Sequence, residues 1–435
     1  MKRELMIKKR YVIAVFCLFL MSFSPAMGQI TETGQTVVTE EEGTLLTAND
    51  PMQEDSLLCD SLAADSLAWP KNVCARIDRL LESSMFHTSM VGLEVYDLTA
   101  DSVIYRFNER QLMRPASTMK MINAVTVLDR LGGSHQFKTR LCYTGKVDNG
   151  VLTGNVYCKG GFDPLFNGDD LRAFVESLRK MGVDTIRGNV YADLTMKDAD
   201  LLGEGWCWDD DNPVLSPLLI GGKNQFMRRF CQEMRNMGVV HVGDTLQGET
   251  PNRASDLCTR FHTIDQVLMR MMKKSDNLFA ESMFYQLAAS GGTKRASAKN
   301  GRQQVNKLIS KLGFRDSDYY IADGSGLSLY NYVSPELEVA FLKYAYRNEN
   351  IYIHLLPAMP VAGVDGTLAS RMNSGFAHQN VKAKTGTVTG VSALTGYCTA
   401  ANGHLLCFSI INMGIRKAAT GRRFQDRVCQ ALCEP

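Results

Sequence analysis

The chain lacks most of the short signatures that mark hydrolases and metalloproteins. It has no Gly-x-Ser-x-Gly turn, no His-Glu-x-x-His and no Cys-x-x-Cys, and its seven histidines are scattered. Those absences remove the histidine-assisted serine elbow, the zinc-peptidase helix and the paired-thiolate zinc or redox site. Neither sign of charge dominates: 48 basic side chains face 46 acidic ones, for a formal net charge of +2. With no Lys/Arg run of nucleic-acid type, a polyanionic partner is not expected. The N-terminal apolar run, Tyr11 to Met21, falls short of the ~20 residues a bilayer span needs.

That short run is informative for another reason. Lys2, Arg3, Lys8, Lys9 and Arg10 precede it, and Ser24-Pro25-Ala26-Met27-Gly28 follows. A basic stretch, a brief apolar core and an Ala-x-Gly site describe a secretory signal cleaved after Gly28, which leaves no transmembrane segment and implies a periplasmic protein. Cys17 lies inside the apolar core, so a lipid-anchored cysteine is not expected. Of the 12 cysteines, Cys17 leaves with the signal; the remaining number is odd, so at least one thiol stays free or pairs between chains. Asn402-Gly403 signals a two-residue hairpin that sets Cys398 opposite Cys407, as two small buried side chains or as a bridge.

Residues 29–70 read as an acidic, disordered linker, with Asp55-Ser56-Leu57, Asp60-Ser61-Leu62 and Asp65-Ser66-Leu67 repeating. Folded sequence starts near Asn72 with an amphipathic helix. Val91, Leu93 and Val95 alternate, as do Val103, Tyr105 and Phe107, which predicts a hairpin. Ser117 then opens a helical pattern closed by Gly132-Gly133. Short strands with glycine turns around one helix near Leu171 to Lys180 predict a small strand-rich inserted subdomain over 137–213. Helices are expected from Asn224 to Met237 and from Ile264 to Ala289. The strand pair Ala393–Thr399 and Leu405–Asn412 and a terminal helix follow. The fold class is mixed α/β, an antiparallel sheet flanked by helices plus a helical subdomain, with the catalytic domain over 71–136 and 214–435.

With the histidine routes gone, a lysine is the remaining candidate base. Ser117-Thr118-Met119-Lys120 supplies one: positions i and i+3 share a helix face, so Lys120 Nζ can reach Ser117 Oγ. The positive end of the helix dipole and partial burial both disfavour a charged Lys120, and the free N–H of Ser117 offers half of an oxyanion hole. Ser177-Leu178-Arg179-Lys180 has the same spacing but sits in an amphipathic helix and reads as a solvated face. Ser275-Asp276-Asn277 is the only Ser-x-Asn in the chain and Lys384-Thr385-Gly386 the only Lys-Thr-Gly. Taken singly, Ser275 reads equally as a helix cap and Lys384 as a solvated strand residue. Ser325, in Asp323-Gly324-Ser325-Gly326, reads as part of a tight turn.

In order and spacing, the three elements match the signature of penicillin-binding proteins and serine β-lactamases. The chain resembles the class C low-molecular-mass penicillin-binding proteins, the D-alanyl-D-alanine carboxypeptidase/endopeptidase (DacB-like) family, from about Val91 onward. The longer phrases that carry the resemblance are Arg114 to Thr118, Gly160-Gly161-Phe162-Asp163-Pro164, Gly205-Trp206-Cys207-Trp208-Asp209-Asp210, Lys274 to Asn277, Ala322 to Ser328 and Pro360 to Leu368.

The resemblance implies a transpeptidase-like domain and a metal-free, cofactor-free acyl-enzyme mechanism on peptidoglycan stem peptides, with β-lactams as covalent inhibitors. It implies Ser117 as nucleophile, Lys120 as its base and Ser275 as proton relay to the leaving D-amino acid. Lys384 would hold that network, and Asn277 would orient Lys120 and bind the substrate backbone. The strand Thr385-Gly386-Thr387 would bind substrate, with Thr385 on the terminal carboxylate and the Thr387 N–H completing the oxyanion hole. Two departures stand out: Phe162 replaces a third glycine, and the second of two nested insertions is largely missing after Asp210. A β-lactamase or D-peptide esterase on the same core, or a catalytically idle penicillin-binding scaffold, remain the alternatives.

Overall fold

The computed structural model describes residues 67–435; the signal expected at 1–28 and most of the acidic linker lie outside them. Among the described residues no helix is long and apolar enough to cross a membrane. Helix α1 (Lys71–Leu81) buries Val73 and Ile77 completely. The hairpin of β1 (Met90–Asp97) and β2 (Ser102–Phe107) follows, its turn held by Asp97 Oδ1, which accepts from the N–H groups of Thr99 and Ala100. A 3₁₀ turn, Ala116–Thr118, runs into α2 (Met119–Leu131). Every residue from Met119 to Leu128 is buried, so α2 is the central helix, and Gly132 ends it at φ 77°.

Next comes the strand-rich part: β3 (Gln136–Tyr143), β4 (Lys146–Asp148), β5 (Val151–Thr153), β6 (Val156–Lys159), α3 (Gly168–Lys180), β7 (Thr185–Arg187), β8 (Val190–Asp193), α4 (Phe226–Asn236), β9 (Val240–Val242), β10 (Thr245–Gln247) and β11 (Ser255–Thr263). Two sheets, ordered β10-β8-β6-β3-β11 and β4-β5-β7-β9, share a core that includes Phe166, Phe174, Phe226 and Phe230. The edge expected at 213 does not coincide with the edge of this unit. Its first strand, β3, pairs along its length with its last, β11, from Gln136↔Thr263 to Tyr143↔Ser255, so the hydrogen-bonded unit closes near 263. Strands β9 and β10 are three residues long, and β11 is mostly exposed without apolar alternation; the periodicity that reveals strands is absent there.

Helices α5 (Ile264–Lys273), α6 (Asn277–Ala289), α7 (Ala298–Lys311), α8 (Pro335–Tyr346) and α9 (Glu349–Ala358) precede β12 (Lys382–Val388), β13 (Val391–Thr399), β14 (Leu405–Met413) and α10 (Ala418–Cys433). The main sheet, β12-β13-β14-β1-β2, is antiparallel throughout. Successive residues of its inner strands feed opposite cores. Ala393, Tyr397, Cys407 and Ile411 join the cluster with α2 and α8. Leu394, Phe408 and Ile410 join that with α1 and α10. Both faces are covered, which is why β13 and β14 are buried at nearly every position.

Two expectations need correction. The single helix expected from Ile264 to Ala289 is two, because Ser275 takes a left-handed φ of 56° that breaks the helix, and Asp276, not Ser275, caps α6 through the Phe279 N–H at 3.4 Å. Cys398 and Cys407 do not face each other. The turn spans Ala400–His404, closed by Ala400 N–H to His404 O at 2.9 Å, and pairs Thr399 with Leu405 and Cys398 with Leu406. That one-residue slip sends the two thiols to opposite faces, into different cores. All ten described cysteines are free.

Candidate active site

The 3₁₀ turn before α2, the α5–α6 break and strand β12 converge on one cleft. Lys120 Nζ lies 3.0 Å from Ser117 Oγ, 2.8 Å from Asn277 Oδ1 and 2.7 Å from the Ser325 carbonyl. Lys384 Nζ lies 2.8 Å from Ser275 Oγ and 2.7 Å from the Thr385 carbonyl. All five residues expected to carry chemistry are thus in one place, and both lysines are fully buried.

Counting hydrogens around Lys120 shows what its geometry allows. Two partners, Asn277 Oδ1 and Ser325 O, are acceptors only and hold two N–H groups. The third direction faces Ser117 Oγ, so a neutral amine points its lone pair at the Ser117 hydroxyl proton. Burial lowers the Lys120 pKa to about 8, against the opposing pull of Asp323, Glu281 and Asp276. Burial, reinforced by the Lys120 charge, drives Lys384 well below the ordinary lysine value.

Strand β12 is an edge strand, and its outward groups can be assigned. The Ala383 N–H points away from β13 to the Pro360 carbonyl at 3.0 Å. Since N–H directions alternate along a strand, those of Thr385 and Thr387 also leave the free edge. The Lys384 bond to the Thr385 carbonyl lies on the same side. Gly386 lets the Ser117 turn approach: a Cβ there would lie 2.6 Å from the Pro115 carbonyl and 3.1 Å from the Ser117 nitrogen. The Thr387 and Ser117 N–H groups are therefore presented from adjoining elements. Thr385 Oγ1 is 2.8 Å from Thr367 Oγ1.

Behind the cleft the other quoted phrases meet. Asp323 accepts from the Trp206 indole at 2.8 Å, from the Gly326 and Ser328 N–H groups at 2.7 Å each and from Asn331 Nδ2 at 2.8 Å. Glu281 Oε1 takes the Gly324 and Ser325 N–H groups at 3.1 and 2.8 Å. Burial, with Asp323 nearby, raises the Glu281 carboxyl to about 8. Gly326, at φ 79°, sits where a Cβ would come within 1.7 Å of the Ala116 carbonyl. Phe162, the departure at a glycine position, adopts φ 52° and is fully buried. The strain of about 1–2 kcal/mol in that backbone is offset by about 1.5–3 kcal/mol from burying the ring.

Sequence reading missed three contributors. Ser325 acts through its carbonyl rather than its hydroxyl, which no residue-type argument reveals. Thr367 lies within a quoted phrase but touches the site only because Asp365, bound to Lys273 Nζ at 2.7 Å, folds that loop beside β12. Glu281 stands one helical turn beyond Asn277, an i,i+4 relation to a site residue inside an apolar helix, and that signal was available. Among the described residues no group of three or more His, Cys, Asp or Glu is arranged to hold a metal ion.

Comparison with known proteins gives a consistent family. The D-Ala-D-Ala carboxypeptidase 3 (S13) family matches residues 73–218 and 220–433. The D-alanyl-D-alanine carboxypeptidase DacB of Haemophilus influenzae is 27% identical over 405 residues, covering 74% of this chain and 84% of that protein. A D-alanyl-D-alanine carboxypeptidase of Actinomadura sp. (strain R39) is 26% identical over 459 residues, covering 82% and 84%. The crystal structure of penicillin binding protein 4 (dacB) from Haemophilus influenzae superposes with a TM-score of 0.74 at 25% identity, covering 83% of this chain and 98% of that one.

Proposed function

The chain belongs to the D-Ala-D-Ala carboxypeptidase 3 (S13) family, and from that premise we propose that it is a serine-type D-alanyl-D-alanine carboxypeptidase acting on peptidoglycan stem peptides. The observation that carries the reading is the Lys120 amine, buried, held by two carbonyl acceptors and left with one direction, toward Ser117 Oγ.

In this reading each step falls to a group of the site described above. Neutral Lys120 takes the Ser117 proton as Oγ attacks the penultimate D-Ala carbonyl. The oxyanion is met by the N–H groups of Ser117 and Thr387. Lys384 holds Ser275 Oγ at 2.8 Å; Ser275 gives its hydroxyl proton to the departing amine and takes in exchange the proton Lys120 carried, which leaves Lys120 neutral again. Asn277 holds Lys120, and Thr385 with Gly386 and Thr387 lines the path of the substrate's terminal carboxylate. Water then attacks the ester, Lys120 serves as base again, and Ser117 recovers its proton. A crosslinked D-alanyl bond offers the same carbonyl, so DD-endopeptidase action shares this cleft, and a β-lactam carbonyl is trapped on Ser117. We further propose export through the N-terminal basic–apolar segment, with cleavage after Gly28 and a periplasmic location.

D-Ala release from a pentapeptide ending in D-Ala-D-Ala tests the reading. The wild type is expected to release D-Ala and Ser117→Ala to release none. A folded wild type that releases no D-Ala but hydrolyses a chromogenic cephalosporin rapidly would turn the assignment to a β-lactamase.

A further inference from the structure

A further buried acid lies against the Ser117 turn, at Thr118. Glu338 in α8 is fully buried and has no ion-pair partner among the described residues. Its Oε1 is 2.6 Å from Thr118 Oγ1, and its Oε2 meets Ser409 Oγ of β14 at 2.7 Å and the Thr395 hydroxyl of β13. Thr118 Oγ1 is also 2.7 Å from the Pro115 carbonyl. The carboxyl therefore ties the residue after Ser117 to two central strands of the sheet.

The hydrogens at this junction can be counted. Four oxygen–oxygen contacts of 2.7 Å or less are present: Thr118 to Pro115, Thr118 to Glu338, Thr395 to Glu338 and Ser409 to Glu338; the Thr395 and Ser409 hydroxyls also lie 3.2 Å apart, the longer spacing of two donors that converge on the same carboxyl oxygen. Three hydroxyl groups supply three protons. Were Glu338 ionised, one contact of Thr118 would set two oxygens at 2.6 or 2.7 Å with no proton between them, a repulsive arrangement. A carboxyl proton on Oε1 supplies the fourth: Glu338 donates to Thr118 Oγ1, Thr118 donates to the Pro115 carbonyl, and Oε2 accepts from Thr395 and Ser409.

We propose that Glu338 is a neutral carboxylic acid that latches the Ser117 turn to the sheet, a positioning residue for acylation. The latch acts on a backbone under strain. Ala116 has φ 49°, a conformation costly for a residue with a Cβ, and the Thr118 hydroxyl bond to Pro115 O closes the turn around it. The same Pro115 carbonyl and Ser117 nitrogen are those packed against Gly386, so the latch sets where the Ser117 N–H points relative to β12. Burial, opposed only by the three hydroxyl bonds, raises the Glu338 pKa, in agreement with the proton count.

The catalytic half of this inference rests on Ser117 as the nucleophile; the protonation half does not. Infrared spectroscopy of the intact protein is expected to show a protonated-carboxyl band that disappears in Glu338→Gln. In penicillin acylation and D-Ala release, Glu338→Gln, whose amide donates to Thr118 and whose oxygen accepts from Thr395 and Ser409, is expected to stay within about twofold of wild type. Glu338→Ala is expected to acylate about tenfold to a hundredfold more slowly, because small displacements of a reacting group cost that much. Thr118→Val, which keeps the acid and removes only the link, is expected to show the same loss even if Glu338→Ala does not fold. Glu338→Gln as slow as Glu338→Ala, no band assignable to Glu338, or a Thr118→Val enzyme at the wild-type rate would overturn the inference. A wild type that neither acylates nor releases D-Ala, yet keeps the band, would sink the functional reading and leave the protonation state standing.

Discussion

The two walls of the cleft each bury a lysine, and they surround it differently. On the helical wall Lys120 has carboxyls in its field, Glu281 and Asp323 among them, whose attraction partly cancels the cost of burial and leaves the amine titrating at about 8. On the strand wall Lys384 touches a hydroxyl and a carbonyl. Burial and the neighbouring Lys120 charge both push its pKa down, with no carboxylate to oppose them. The helical wall is electrostatically complete without substrate, whereas the strand wall lacks an anion. We propose that a peptide ending in a carboxylate, bound along Thr385 to Thr387, supplies one and restores the Lys384 charge. On that proposal, base strength is built into one wall and substrate selection into the other.

Loss of the Lys120 amine has the largest expected effect. Lys120→Met is expected to lower the acylation rate by about 10²–10⁴-fold while noncovalent binding of a D-Ala-D-Ala peptide persists, as stopped-flow acylation and calorimetry would show. The strand wall's oxyanion donor comes next. Thr387→Pro deletes one N–H from the free edge of β12, where proline is tolerated; kcat is expected to fall about 10²–10³-fold with Tm little changed. If kcat holds, that N–H plays no part.

Substrate selection by Lys384 gives a smaller effect. A peptide ending in D-alaninamide is expected to lose about 10–10²-fold in kcat/KM, the loss of one charge-assisted hydrogen bond. In Lys384→Met the acid and amide should be cleaved almost equally. Equal discrimination in both enzymes would place carboxylate recognition elsewhere. Thr367→Val, which removes the hydroxyl 2.8 Å from Thr385 Oγ1, is expected to raise KM about fivefold, the worth of one neutral hydrogen bond, with kcat unchanged.

What was legible in the sequence follows the same division. Ser117 and Lys120 could be paired on paper because one helical turn fixes their spacing. Ser275, Asn277 and Lys384 were recoverable only as a family pattern, since their meeting depends on contacts between residues more than a hundred positions apart. The main sheet showed itself through Val91, Leu93 and Val95 and through the apolar runs of β13 and β14. Strands β9 to β11 did not, because their pairing with β7, β8 and β3 stabilises segments with little apolar pattern of their own. Backbone partners were the least visible: the Ser325 carbonyl and the left-handed Ser275 that splits α5 from α6 are consequences of tertiary structure, not of residue type. The Cys398 register was missed by one position because Asn402-Gly403 sits in a five-residue turn.

The most direct test of the account is the pH dependence of penicillin acylation, followed by intact mass with peptide mapping of the adduct. A neutral Lys120 acting as base predicts a single adduct on Ser117, formed at a rate that climbs through about pH 8 and falls away below it as the amine gains its proton. A rate independent of pH across that range, or an adduct on any other serine, would contradict it.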